Sequence, residues 1–296
     1  MESPNTHPPR LRHTVADGVA TVVISNPAKR NAMTADMWRA LPELLGELAA
    51  DPAVRALVLT GEGGTFCAGA DISSLRLPGE DPQALAVRAE EALAAFPKPT
   101  LAVVRGYCVG GGCQLAAACD LRFAESDTLF GVTPAKLGIV YPAGSTRRLA
   151  ALVGPAAAKY LLFSGELIDT ERALRTGLVE EVLPGDELGR RAADFTRILV
   201  SRSQLTQCAA KGVHRRPHGP GRVLGGAGAR QRRHRGGGRR LPRTAHAALR
   251  LDARSRLTPV APCPEPTARG YRRTKRLLAR NSSTRCAGAF SGEPAS

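Results

Sequence analysis

The chain has 296 residues and a formal net charge of +16, enough length for one large domain or two modest ones. The charge is concentrated: residues 212–296 hold 20 Lys/Arg against 3 Asp/Glu, and residues 1–211 are close to neutral. This confines any role on nucleic acid or anionic membrane to the tail, and no apolar run approaches the ~18 residues of a membrane span.

Residues 1–13, rich in Pro and polar side chains, read as a mobile lead-in. They lack the basic start and apolar core of a signal peptide, so the expected location is cytoplasmic. Val19–Ser25 is a β-branched run paired with Leu11–Ala16 across the Asp17-Gly18 turn. After the polar loop Asn26–Asn31, Thr34 caps a helix to Ala50 that lines Met37, Leu41, Leu44, Leu45 and Leu48 on one face, with Pro42 bending it. Arg55–Thr60 is a buried strand, and Gly61–Gly64 a flexible turn into Phe66–Asp71 (FCAGAD). Asp71 caps a short helix over Ile72–Leu77. Asp81-Pro82 then starts a helix to Phe96 that places Glu90 and Glu91 on a charged solvent face.

Pro97-Lys98-Pro99 ends that helix, Thr100–Arg105 is a strand, and Gly110–Gly112 opens a helix through Ala118. Asp120–Ala124 and Thr128–Phe130 are short strands. Ala143–Val153 and Pro155–Ser164 read as two helices, and Asp169 caps a helix that Gly177 stops. Leu178–Leu183 is a strand, and Asp186 begins a long helix toward Lys211. At residue 212 the character changes: of the 85 remaining residues only 11 are Leu, Ile, Val or Phe, too few to bury a core against such charge. This tail, 212–296, reads as a disordered basic segment produced by an altered reading frame. A nucleic-acid-binding arm is the rival, weakened by the absence of interleaved aromatics.

Twice the chain leads a strand into a turn of small residues and then a helix start. Helix starts carry four N–H groups without intrahelical partners and favour negative charge. With no side chains at Gly110, Gly111 and Gly112 and only a methyl at Ala68, a ligand oxygen can approach both sets of amides. Two amides converging on one carbonyl make an oxyanion hole. All six histidines lie outside Thr14–Lys211, which leaves the body without an internal Ser-His-Asp triad or a His-ligated metal site. The seven cysteines show no C-x-x-C spacing and read as reduced, packed thiols, Cys67 beside the hole included.

Phe66–Ile72, Gly106–Leu115 (GYCVGGGCQL), Cys119-Asp120 and Phe130–Leu149 (FGVTPAKLGIVYPAGSTRRL) together resemble the enoyl-CoA hydratase/isomerase, or crotonase, family in order and spacing. The resemblance covers residues 14–211. It implies an α/β fold of crotonase type, a ββα spiral, whose closing C-terminal helices are absent or disordered here. It also implies an acyl-CoA substrate, with coenzyme A as part of that substrate, no further cofactor, and a homotrimer or hexamer. The thioester oxygen falls to the amides of Ala68 and Gly111. The wider binding segments fall on Gly69, Ala70, Asp71, Ile72, Gly110, Gly112 and Pro134, and the CoA phosphates on Lys29 and Arg30.

The chain departs from the hydratase pattern at both acid-base positions, where Gln114 and Pro134 stand in place of glutamates. Each such group is worth about 10²- to 10⁴-fold. Gln114 can orient a water but not take its proton. Tyr141, where hydratases carry proline, makes the Thr-Pro-x-x-Leu-Gly-x-x-Tyr run similar to methylmalonyl-CoA decarboxylases of the same superfamily. Hydration or isomerisation, decarboxylation with Tyr141 orienting the carboxylate, and non-catalytic acyl-CoA binding remain open.

Overall fold

Two seven-residue strands flank the Asp17-Gly18 turn, β1 (Arg10–Ala16) and β2 (Val19–Ser25), in antiparallel register from Arg10 opposite Ser25 to Ala16 opposite Val19. A computed structural model describes residues 7–71 and 81–213. Residues 1–6, the expected helix at Ile72–Leu77 with site residue Ile72, and the tail beyond Val213 lie outside the described residues. The elements after the hairpin are α1 (Ala35–Ala50), β3 (Ala56–Gly61), α2 (Pro82–Ala95), β4 (Thr100–Val104), β5 (Tyr107–Val109), α3 (Gly111–Ala118), β6 (Leu121–Glu125) and β7 (Leu129–Gly131). There follow α4 (Pro134–Leu137), α5 (Ala143–Ser164), β8 (Leu167–Ile168), α6 (Thr170–Arg175), β9 (Glu181–Leu183), α7 (Gly185–Ser201) and α8 (Gln204–Val213).

The main sheet runs β1-β2-β3-β4-β6-β9, parallel from β2 onward, and a second sheet runs β5-β7-β8. Strands buried on both faces need apolar residues at every position, which is why RALVLT and TLAVVR read as continuous runs. The two-residue alternation then sorts them. Leu57, Leu59, Ala102 and Val104 join the large core with α1, α2, α3 and α5, while Val58, Leu101, Val103 and Phe123 face Leu188 and Ala192 of α7. Strand pairs alternating with covering helices give the α/β, ββα-spiral architecture of the crotonase type.

The expected caps are present. Thr34 accepts from the Met37 amide at 3.3 Å, Asp81 from Gln83 at 3.0 Å and Asp169 from Arg172 at 2.8 Å. The two helices expected over 143–164 are present, separated at Gly154, which is non-helical at φ 79, ψ 159, directly before Pro155. Two expectations need correcting. The strand expected over 178–183 is confined to Glu181–Leu183, because the Leu178 amide closes α6 by donating to Ala173 O at 2.8 Å. The long last helix is divided at Arg202, which is extended at φ −93, ψ 167, and Ser203 Oγ then accepts from the Thr206 amide and caps α8.

Candidate active site

Neighbouring parallel strands β3 and β4 carry the chain to the same end of the sheet, where ligand crevices of α/β folds form. Gly106, at φ +56, makes the corner between β4 and β5, where a side chain would stand 2.2 Å from Gly64 O. The first segment is then laced to β5. Phe66 N–H donates to Arg105 O at 2.8 Å, Cys67 N–H to Tyr107 O at 2.9 Å, and Val109 N–H to Cys67 O at 3.0 Å. On its other side, Met33 N–H donates to Gly69 O at 2.8 Å and Asp71 N–H to Met33 O at 2.9 Å. Those bonds use the residues on either side of Ala70, so its own N–H turns away from Met33. Among the described residues the Ala70 amide has no hydrogen-bond partner.

Gly111 is the first residue of α3, and its N–H has no acceptor within the helix. A Cβ placed on Gly111 would stand 3.6 Å from Ala70 N, and one placed on Gly69 would stand 3.5 Å from Gly111 N. The two amides therefore belong to one small space. Gly110, at φ 55, ψ −117, supplies a turn that only glycine adopts readily, and its N–H is committed to Gly131 O at 2.8 Å. Ala68, the expected first donor, is corrected: its N–H donates to Arg30 O at 3.0 Å. The amide two residues later, that of Ala70, is the one without a partner opposite Gly111.

The loop ahead of this segment is pinned by Asn31. This fully buried residue donates to Glu62 O at 2.9 Å and Thr65 O at 2.6 Å, and accepts from the Asn26 amide at 3.0 Å. Lys29 pairs with Asp71 at 2.7 Å, and the Arg30 guanidinium lies 4.9 Å from the Tyr107 ring centre. Lys29 thus sits against the first donor segment, and Arg30 against β5, to which that segment is laced. Asp71 is engaged with Lys29, and the helix it was expected to cap lies outside the described residues.

The largest departure from expectation is Glu90. It is 2 % exposed rather than solvated, because it sits on the inward stripe of α2 with Leu85, Ala89 and Leu93. Gln114, one turn after Gly111 on α3, donates its Nε2 to Glu90 Oε2 at 2.6 Å and to Ser145 Oγ at 3.2 Å. Ser145 donates in turn to Glu90 Oε2, and Arg148 pairs with the other carboxylate oxygen. Burial lowers the Arg148 pKa below its usual range. The inward spacing of Glu90 with Leu93 was the available sequence signal, whereas Glu91 is exposed as expected.

Pro134 opens α4 directly after Thr133, whose Oγ1 lies 3.6 Å from a Cβ placed on Gly110. Tyr141 packs against the large core, and burial pushes its phenol well above the usual range, with Cys113 and Cys108 beside it adding to the shift. Among the described residues its hydroxyl has no partner. Gln83 Nε2, donating to Val140 O at 2.6 Å, ties the preceding residue to α2.

Cys67 is fully buried and burial raises its thiol to about 12, as it does for Cys119. Thiolates are the reactive form. Alkylation at pH 8 with peptide mapping is therefore expected to label the partly exposed Cys208 and spare Cys67, Cys108, Cys113 and Cys119 until denaturant is added. Labelling of Cys67 in the native protein would contradict this packing. Among the described residues no group of three or more His, Cys, Asp or Glu is placed to hold a metal, and no helix is long and apolar enough to cross a membrane.

The sequence profile described as Enoyl-CoA hydratase/isomerase matches residues 14–218. The chain is 37% identical over 192 residues to the short-chain-enoyl-CoA hydratase of Clostridium acetobutylicum, covering 63% of this chain and 74% of that one. It is 35% identical over 192 residues to the crotonyl-CoA hydratase of Syntrophomonas wolfei, with the same coverage. A crystal structure of an enoyl-CoA hydratase/isomerase family member superimposes with a TM-score of 0.67 at 43% identity, covering 70% of this chain and 83% of that one.

Proposed function

The chain belongs to the enoyl-CoA hydratase/isomerase family, and from that premise we propose that it binds an acyl-CoA thioester with its carbonyl oxygen between the amides of Ala70 and Gly111. The observation that carries this reading is the unpartnered Ala70 N–H set against the first turn of α3. A carbonyl held there is polarised, and the negative charge that develops on its oxygen as an enolate forms lies between the two N–H groups. Donors already aimed at that oxygen stabilise it without reorganising. Lys29 and Arg30 lie where the nucleotide phosphates of CoA can reach them, Lys29 exchanging Asp71 for phosphate. Exposed Val140 and Phe163 fit the homotrimer or hexamer that the resemblance implies.

The reaction is enolate chemistry of hydratase or isomerase type, with Gln114 orienting rather than accepting the proton. A second reading is decarboxylation of a malonyl-type thioester, which yields the enolate without a base. Tyr141 favours it, because a phenol whose pKa is raised by burial stays a neutral donor throughout the working range. Incubation with enoyl-, acyl- and malonyl-type CoA thioesters in heavy water, read by product mass, tests both. Gain of water or α-deuterium is the expected result, and loss of carbon dioxide selects the second reading. Unchanged masses across all three classes overturn the catalytic proposal.

A further inference from the structure

Gln114 has one turn of helix between it and Gly111, so its side chain shares a face with the proposed thioester site. What that side chain offers a substrate depends on which way its amide is turned. A carboxylate only accepts hydrogen bonds, so the group 2.6 Å from Glu90 Oε2 must be the Gln114 nitrogen. Ser145 spends its hydroxyl proton on Glu90 and takes the second Gln114 N–H. Both donors of the amide are therefore held on the α2–α5 side. Oε1 is left turned away from them, with no partner among the described residues. Arg148 pairs with the other carboxylate oxygen of Glu90. Turning the amide over would set Oε1 against Oε2 and break the hydrogen bond to Glu90.

We propose that Glu90 is a specificity-determining positioning residue: by holding the Gln114 amide it presents Oε1 as an acceptor, so the site selects acyl groups that bring an O–H to that point. A hydroxyacyl chain, or an enoyl chain with a bound water, satisfies the acceptor. An acyl carboxylate there would meet oxygen with oxygen. The inference rests on the acyl-CoA reading above and sets hydroxyacyl and enoyl thioesters against malonyl-type ones.

The test is the binding ratio of 3-hydroxybutyryl-CoA to malonyl-CoA, measured by calorimetry on the full chain, since the shared CoA part cancels. The wild-type protein is expected to prefer the hydroxyacyl thioester. Glu90→Met with Arg148→Met removes the acceptor and its counter-ion together, a replacement that buried ion pairs often tolerate. It leaves the Gln114 amide able to turn, and the ratio is expected to move at least about tenfold toward malonyl-CoA, roughly 1.4 kcal/mol. Glu90→Gln with Gln114→Glu moves the carboxylate across the same hydrogen bond and keeps an acceptor at 114, so it is expected to retain the wild-type order. That exchange also decides the matter should the first variant not fold. A wild-type preference for malonyl-CoA, an unmoved ratio in the first variant or a reversed order in the exchange overturns the proposal. Failure of the wild-type protein to bind either thioester removes the acyl-CoA reading itself, and this inference with it.

Discussion

Gly112→Ala is expected to be strongly destabilising. A Cβ at Gly112 would stand 2.2 Å from Cys67 O and 2.9 Å from Cys67 C. Both are backbone atoms, and that oxygen already accepts from Val109 N–H at 3.0 Å. No side chain can rotate away, so α3 must lift off the Phe66–Asp71 segment and the Cys67–Val109 bond must lengthen. Overpacking costs about 1–3 kcal/mol and a lost hydrogen bond about 1 more, which together amount to a large share of the ~5–15 kcal/mol that holds a domain folded. A fall in Tm of roughly 6–12 °C follows for a body of this size. Thermal melts checked against urea unfolding measure it, with Gly144→Ala as control, since nothing lies within 4 Å of a Cβ there. Equal melting temperatures for the two variants would mean that the segments are not in this contact.

The strands and most helix starts were legible because they depend on neighbours in sequence. Apolar runs bounded by Gly and Pro define β3 and β4, and Thr34, Asp81 and Asp169 each cap the helix that directly follows. The paired glycine-rich segments were legible as a constellation for the same reason. Which amide stays free was not. Ala68 and Ala70 both lie in one run of small residues, and they are told apart by Arg30 and Met33, whose backbone groups pair with that run from nearly forty residues away. Glu90 was misread on similar grounds. A glutamate in a helix is solvated unless something distant covers it, and here the cover comes from Gln114, Ser145 and Arg148 on two other helices. Local chemistry gave the scaffold of the site, and long-range pairing chose its working atoms.

Ala70→Pro is expected to lower kcat/KM by at least about 10²- to 10³-fold on whichever thioester the wild-type protein turns over. Proline deletes one N–H and adds no charge, and loss of one oxyanion donor costs ~2.7–4 kcal/mol of transition-state stabilisation. The position tolerates the change in two respects. The bonds that tie this segment to Met33 run through Gly69 O and Asp71 N–H, not through the Ala70 amide. The residue before the new proline is glycine, which is the least restricted by the ring that follows it. A donor that acts mainly as oxygen becomes an enolate contributes more to the transition state than to the bound ester, so its loss lowers kcat, while the ring Cδ that replaces the N–H crowds the carbonyl oxygen and raises KM. Ala68→Pro makes the contrast. It deletes the N–H that Arg30 O accepts at 3.0 Å, so its first effect falls on stability. Steady-state kinetics with melting curves for both variants separate the two. A nearly unchanged kcat in Ala70→Pro beside a collapsed kcat in a still-folded Ala68→Pro would return the oxyanion role to Ala68 and undo the argument from hydrogen-bond partners.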